Sequence, residues 1–312
     1  MFQELLDKHE KISIVTHQSF DTDSLGTGLA IYSILKNLGK EVEISNMDAK
    51  LPNYLDFLPH FAKIKNRMDF DNSFIIACNL MNLNVLNFDV SLRDIVTIDH
   101  DDRHEGYALL NSVDNSYASI SMGTYNFLKH DFEITKEVAT CFYVGLVTTT
   151  QNFTTSKVNS KTFTVASELL ALGVNLEKVN KNLMQRKSLS SFRLLSYTLK
   201  SLELSHNAEL AFLVVDQETF EQTGANKQDL IGLIDYGLAL ATVKIAILLV
   251  ELEEHIKVSF RSDKVSVSGL ARHFGGGGHC LSSGFTSKKI DLNKLLNEIK
   301  LEIKERRLLN EL

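Results

Sequence analysis

Short apolar runs alternate with longer amphipathic segments along the first part of the chain. The apolar spacing of GTGLAIYSILKNLG (26–39) predicts a helix that ends near Gly39. Four β-rich runs are predicted as buried strands: KISIVT (11–16), EVEIS (41–45), FIIAC (74–78) and DIVTI (94–98). Strands that are separated by helices are typical of a mostly parallel sheet with helices on its faces.

The pattern changes in the second part of the chain. Helical spacing dominates from about 118 to 204, and then come a strand at 208–216, a helix at 226–240, strands at 242–252 and 255–262, and an amphipathic helix from 291. We therefore expect an α/β protein with two domains. The predicted parts are a mostly parallel-sheet domain over 1–184, a helical connector over 185–207 and a smaller α/β domain over 208–312.

Polar side chains cluster just after three of the predicted strands. Because the carboxyl ends of parallel strands line one crevice, residues far apart in sequence would converge there. Imidazole nitrogen and carboxylate oxygen are ligands that suit Mn²⁺, Fe²⁺ or Zn²⁺. Two clusters at equivalent positions favour a metal or phosphate site over ordinary loop residues. The converging residues would be His17, Asp21, Asp23, Asp99, His100 and Asp101.

A second cluster combines SFRS (259–262) with ARHFGGGGHCLSSGF (271–285). Consecutive glycines cost backbone entropy, but they let backbone N–H groups approach an anion closely. Arg261 and His279 would add charged donors. A flexible hairpin loop is the alternative, and the flanking Arg and His count against it.

Composition narrows the function classes. The 312 residues are 44% hydrophobic and 23% charged, which is typical of a globular protein, and the net charge is −6. That charge argues against coating long duplex nucleic acid, although a local phosphate site is compatible with it. We expect no membrane span, because the most apolar window (238–252) is short and contains Lys244. Three cysteines and no signal peptide favour a cytoplasmic protein.

The motifs resemble those of the DHH phosphoesterase family, in particular its branch of nanoRNases that also act as 3′-phosphoadenosine 5′-phosphate phosphatases. The resemblance rests on HQSFDTDSLGTG (17–28), IDHDD (98–102), GLVTTTQNF (145–153), SFRS and FGGGGHCLSSGF (274–285). The last of these is similar to the C-terminal domain associated with DHH proteins, and it is the most specific match.

The resemblance implies two divalent metals, usually Mn²⁺, in the cleft between the domains. His17 and Asp21 would hold one metal, and Asp23 and His100 would hold the other, with Asp99 and Cys78 beside them. A metal-activated water would attack phosphorus. The C-terminal domain would bind the phosphate of a nucleotide or short single-stranded oligonucleotide through Arg261, Ser262, Gly276, Gly277, Gly278 and His279. The chain could act alone or as a homodimer.

The sequence departs from the family pattern at the metal site. Cys78 stands at the position of the metal-bridging Asp, and Asp101 stands at that of the second His of the DHH motif. Thr149 replaces the Asp of the fourth motif. Two cations that lie about 3.5–4 Å apart need that negative charge. These departures from the family pattern therefore imply one metal site or weak metal binding, and no catalytic residue is assigned.

Three hypotheses follow. The first is a nucleotide- or oligonucleotide-binding protein whose hydrolytic activity is weak or lost, and we favour it. The second is an active phosphoesterase in which Cys78 as a thiolate ligates Zn²⁺ with His17 and His100, and Asp101 supplies a missing carboxylate. Against this, Cys78 is more simply a small buried apolar residue. The third is an interaction scaffold with no nucleotide ligand, which the intact Arg261 and GGGGH argue against.

Overall fold

The computed structural model describes residues 2–16, 21–46, 51–80, 93–99 and 116–309, together with the backbone of 110–113. The chain divides into two compact units, Met1–Arg186 and Lys187–Leu312. The helix that we predicted within a connector, Leu189–Lys200, belongs to the second unit. The three-part division of the chain stays a prediction.

The first unit contains a six-stranded sheet in which every neighbouring pair is parallel. Its spatial order is β3-β2-β1-β4-β5-β6. Together with the mixed sheet of the second unit, this confirms the predicted α/β class. The strands are β1 (Lys11–Thr16), β2 (Glu41–Asn46), β3 (Ile64–Lys65), β4 (Phe74–Cys78), β5 (Ile95–Asp99) and β6 (Leu110–Val113).

Helices of the first unit pack on this sheet through apolar side chains, and α2 is buried along almost its whole length. We predicted that α2 would span 26–39, but it begins four residues earlier because Asp21 caps it. The helices are α1 (Phe2–Lys8), α2 (Thr22–Asn37), α3 (Ile120–Leu128), α4 (Lys136–Thr149), α5 (Ser160–Ala171) and α6 (Leu176–Asn180). Short 3₁₀ turns lie at Asn53–Leu55 and Phe61–Lys63, and a π-helical turn lies at Lys181–Gln185.

The second unit contains a mixed six-stranded sheet in the order β11-β12-β10-β9-β8-β7. Its β8–β9 pair is parallel, and its other pairs are antiparallel. The strands are β7 (Glu203–Ser205), β8 (Leu210–Val215), β9 (Ile245–Glu251), β10 (His255–Ser262), β11 (Gly277–His279) and β12 (Ser282–Lys288). The helices are α7 (Leu189–Lys200), α8 (Gln217–Thr223), α9 (Leu233–Leu238), α10 (Ser268–His273) and α11 (Leu292–Glu305).

The prediction of one continuous helix over 226–240 is wrong. A 3₁₀ turn at Lys227–Leu230 ends at Ile231, whose backbone is extended. Gly232 then has φ 82°, and α9 follows it. An extended residue followed by a left-handed one cannot continue an α-helix, so the apolar spacing is divided between two short elements.

Two hydrophobic layers cover the second sheet. Alternate residues of β10 pack against α10 and α11, and the residues between them face the side of the sheet that α9 contacts. Arg261 lies on the α9 side. Among the described residues, no helix is long and apolar enough to cross a membrane.

Candidate functional site

The topology of the first unit brings the predicted polar residues to one edge of its sheet. Thr16 at the end of β1 pairs with Cys78 at the end of β4, and Cys78 pairs with Ile98 of β5. Asp21, Asp23, Cys78 and Asp99 therefore lie at the same carboxyl edge. The other predicted residues of this cluster, His17, His100 and Asp101, lie outside the described residues.

Asp21 serves as the N-cap of α2. Its Oδ1 accepts the backbone N–H of Asp23 at 3.1 Å, and its Oδ2 accepts that of Ser24 at 3.1 Å. The side-chain amide of Asn79 donates a third hydrogen bond, to Oδ2 at 2.9 Å. Asp21 is thus fixed both by the helix that it caps and by the residue that follows β4.

Asp23 is almost fully buried at the amino end of α3. Its two carboxylate oxygens accept the backbone N–H groups of Ile120 at 2.9 Å and Ser121 at 3.0 Å. Burial, followed by the nearby charge of Asp21, raises the pKa of the Asp23 carboxyl to about 7, although hydrogen bonds from Ser121 and Thr149 oppose this. This carboxylate is therefore held by helix dipoles and neutral donors.

The fit around Asp23 depends on Gly145 of α4. A Cβ at this position would lie 2.8 Å from Asp23 Oδ1 and 2.0 Å from Ser121 Oγ. Only a residue without a side chain therefore lets α4 come so close to the carboxylate. Thr149, which lies one turn further along α4, supplies a hydroxyl to the same carboxylate.

Cys78 is fully buried and packs in the main apolar cluster of the first unit. Burial, and then the negative charges of Asp99 and Asp23, raise the pKa of the Cys78 thiol far above its ordinary value. The thiol is therefore protonated at neutral pH. A neutral sulfur thus lies among carboxylates at the position where the resemblance implies a bridging carboxylate.

The described donor set does not fit a two-cation centre. Within the described ranges, no group of three or more His, Cys, Asp or Glu side chains is arranged to hold a metal ion. Both oxygens of Asp21 and of Asp23 accept hydrogen bonds from the protein. Binding of manganese, or of any single ion that involves His17 or His100, stays a prediction.

The second unit places Arg261 in a polar setting on β10. Its Nη1 donates to Ser282 Oγ on the adjacent strand and to the carbonyl of Phe260 at 3.3 Å. Its Nε lies 3.9 Å from Asp235 Oδ1 on α9. Burial raises the pKa of the Asp235 carboxyl, and the Arg261 guanidinium opposes the rise. The guanidinium is thus oriented by two neighbouring elements, and the Arg261 side chain stays 38% exposed.

The glycine run is explained in part by packing. A Cβ at Gly276 would lie 2.2 Å from Gly284 O, and one at Gly278, whose φ is 131°, would lie 2.6 Å from Ser283 Cα. The backbone of β12 can therefore lie this close to the glycine run only because both positions are glycine. Gly277 differs, because nothing lies within 4 Å of a Cβ there. Gly277 and His279 are both exposed on β11.

Ser262, the last residue of β10, has a structural role in the turn that follows this strand. It is buried, its hydroxyl donates to Lys244 O at 2.9 Å, and it accepts the backbone N–H of Val265 at 2.9 Å. These contacts hold the turn after β10. Its predicted contact with phosphate stays a prediction, as do those of Arg261, the glycines and His279.

Sequence reasoning missed three features of these sites. Asn79, which directly follows the predicted strand FIIAC, was given no role, although Asn that follows a strand is prone to left-handed turns. The helix N-terminus that holds Asp23 was also missed, and Ser119, which caps α3, was its only local signal. The pairing of Asp235 with Arg261 has no signal in the sequence.

Comparison with known proteins covers both units. The family described as "DHH family, N-terminal domain" matches residues 11–146, and the "DHHA1 domain" matches residues 207–305. A protein named "Bifunctional oligoribonuclease and PAP phosphatase NrnA" from Thermus thermophilus is 29% identical over 306 residues, covering 94% of this chain and 89% of that protein. A Bacillus subtilis protein of the same name is 25% identical over 282 residues, with coverages of 88% and 89%.

A solved structure has a similar fold over nearly the whole chain. It is an exopolyphosphatase-related protein from Bacteroides fragilis, and it has a TM-score of 0.89 and 25% sequence identity. The match covers 97% of this chain and 95% of that one. Both units therefore have counterparts in a known structure.

Proposed function

The chain belongs to the DHH family, as its motifs indicated, and we propose that it binds nucleotides or short oligonucleotides by their phosphate groups while its phosphoester hydrolysis is weak or lost. The observation that carries this proposal is the full burial of Cys78 in the apolar cluster of the first unit, at the strand end where the family resemblance implies a bridging carboxylate. A neutral group in that place leaves a pair of cations without the carboxylate that they would share.

The loss of hydrolysis follows from charge. A pair of divalent metals, when bound, would supply an activated water and stabilise the attacking and leaving oxygens. The described residues direct their carboxylates elsewhere, because Asp21 caps α2 and Asp23 binds the first turn of α3. Thr149 and Cys78 add neutral groups where the family resemblance implies carboxylates. The carboxylates of the first unit thus bind groups of the protein itself and are poorly suited to holding two cations.

Phosphate binding is assigned to the second unit. Arg261 is oriented by Ser282 and Asp235, and a guanidinium with a fixed orientation suits the planar pairing of two donors with phosphate oxygens. On β11, the backbone of Gly277 is open to an approaching group, and His279 is exposed beside it. These features support an anion site on this hairpin.

The ligand class comes from the similar proteins. Two of them carry the name oligoribonuclease and PAP phosphatase, and both match this chain over most of its length. We therefore infer short oligoribonucleotides and nucleoside bisphosphates as ligands. The cytoplasmic location, the identity of the metal as manganese and the formation of a homodimer stay predictions.

Those names also favour the alternative, which is an active oligoribonuclease and bisphosphate phosphatase with a rearranged site. In that case Cys78 would contribute as a thiolate. The packing of Cys78 argues against that role, because its side chain is fully buried within the apolar cluster of the first unit.

Binding of a 5′-phosphorylated diribonucleotide, measured by calorimetry in the presence of a chelator, tests the proposal. Arg261→Ala should weaken binding by about 10- to 100-fold, since a charge-assisted contact contributes about 1.5–3 kcal/mol. Gly277→Ala should also weaken binding and leave stability nearly unchanged, because its Cβ would meet only the ligand. Arg193→Ala, on the exposed surface of α7, is the matched control and should bind like the natural protein.

Two results would contradict the proposal. If the natural protein shows no binding of the diribonucleotide or of a nucleoside bisphosphate, the hairpin is only structural. If Arg261→Ala and Arg193→Ala bind equally well, the phosphate site lies elsewhere.

A further inference from the structure

Asn79 has an unusual backbone conformation at the end of β4. Its φ is 58°, in the left-handed region that few residues other than glycine adopt. Its backbone N–H donates to Ile98 O on β5 at 2.9 Å, which ties this left-handed turn to the neighbouring strand. Asparagine tolerates this conformation better than most residues, so the turn is stable and aims the side chain.

The side chain of Asn79 meets Asp21. Its Nδ2 donates to Asp21 Oδ2 at 2.9 Å, on the oxygen that also accepts Ser24 N–H. Asp21 Oδ1 accepts one further hydrogen bond, from Asp23 N–H. A carboxylate offers about four lone-pair positions, and these described contacts use three of them. Contacts within the described part of the chain therefore leave one position on Oδ1 unused.

The distance between the two side chains matches that between two ligands of one cation. Neighbouring oxygens in an octahedral shell with bonds of about 2.0–2.1 Å lie about 2.9 Å apart. The Asn79 amide, at an ordinary hydrogen-bond distance, is therefore also as close to Asp21 as a second ligand of one ion would be. It differs from such a ligand in one respect, because an amide N–H donates to Asp21 and needs no cation between them.

We propose that Asn79 is a positioning residue whose amide replaces a bound cation at Asp21. It compensates the Asp21 carboxylate by a hydrogen bond, keeps that residue in its N-cap geometry without a metal, and occupies a position on Oδ2 that an ion would otherwise use. This inference rests on the proposed function, since it explains how a DHH site can stay folded with little metal.

The direct test is Asn79→Asp, which keeps the size and the tolerance of a left-handed backbone but supplies a second carboxylate. Titration calorimetry with Mn²⁺ alone should show binding at least about tenfold tighter than in the natural protein, because two carboxylates would share one octahedral ion. Thermal unfolding should show a larger stabilisation by Mn²⁺ than in the natural protein. Unchanged or weaker Mn²⁺ binding would overturn the proposal.

Two further variants control for the substitution itself. The exchange Asp21→Asn with Asn79→Asp keeps an amide–carboxylate pair, and asparagine is also a good N-cap, so its Mn²⁺ affinity should not exceed that of the natural protein. If Asn79→Asp does not fold in chelator, Asn79→Gly removes the amide and suits the left-handed turn. It should bind Mn²⁺ several-fold more tightly than the natural protein, and equal or weaker binding would again overturn the proposal.

Failure here is distinguishable from failure of the proposed function. Diribonucleotide binding in chelator depends on Arg261 and Gly277 of the second unit, and none of these variants changes either residue. Loss of the Mn²⁺ effect with intact diribonucleotide binding would therefore reject only the role of Asn79.

Discussion

The carboxyl edge of the first sheet and the glycine hairpin of the second unit both carry charged side chains, but they stabilise those charges differently. At the first, Asp21 and Asp23 are satisfied by helix N–H groups and neutral donors. At the second, Arg261 is oriented yet partly exposed, and Gly277 and His279 are open to solvent. Hydrogen bonds from the protein to its own carboxylates stabilise the fold. Donors that are oriented but exposed are instead suited to binding an anion from outside.

The largest effect on stability is expected when a negative charge is added at the carboxyl edge of the first sheet. Cys78→Asp places a third carboxylate beside Asp23 and Asp99 in a buried position, which should lower the free energy of unfolding by about 3–5 kcal/mol. The measurement is urea unfolding at pH 8 in chelator. Cys78→Ser is the control and should cost only about 1 kcal/mol. Equal stability of the two variants would mean that the site tolerates charge.

The same region should have a distinctive pH dependence. The pKa of Asp23 is about 7 in the folded chain and near 3.8 when unfolded, so the folded state binds this proton more tightly. Its contribution to stability is therefore fully present below about pH 4 and is lost as the pH rises to about 7. Each pKa unit of difference between the folded and the unfolded chain corresponds to about 1.4 kcal/mol in the free energy of unfolding.

Comparison with Asp23→Asn isolates this effect. The stability of the natural protein relative to the variant, measured by urea unfolding in chelator, should fall between pH 4 and 7 and be constant above pH 8. A rise over the same interval would mean that the amino end of α3 holds the carboxylate ionised throughout.

The smallest expected effect concerns the second region. Asp235 lies 3.9 Å from Arg261, and its negative charge competes with an incoming phosphate. Asp235→Asn should therefore raise diribonucleotide affinity by about two- to fivefold at low salt, and the gain should shrink as salt screens the charges. Weaker binding would instead mean that the orientation which Asp235 gives to Arg261 matters more than its negative charge.

Much of the sheet could be predicted from sequence, because parallel strands that are buried on both faces are short, continuous apolar runs. The predicted FIIAC run coincides with β4, and KISIVT coincides with β1. The strand β12 was missed because SSGFTSK has little apolar pattern and is defined by pairing with β10.

The candidate site was harder to predict because its contacts are tertiary. That Asp21, Asp23 and Asp99 would lie at one edge of the sheet followed from the positions of the strand ends. That Asp23 would bind the backbone of Ile120 and Ser121 did not, since those residues are nearly a hundred positions away in sequence. The glycines were explained too simply, because Gly276 and Gly278 are required by packing.

Turnover of a bound diribonucleotide distinguishes a binding protein from an active phosphoesterase. The natural protein, saturated with a 5′-phosphorylated diribonucleotide in excess Mn²⁺, should retain the ligand and release little or no mononucleotide over many hours, while Arg261→Ala retains much less of it. Rapid multiple-turnover release of mononucleotide that Cys78→Ser abolishes would contradict the account. It would establish an active phosphoesterase in which Cys78 takes part.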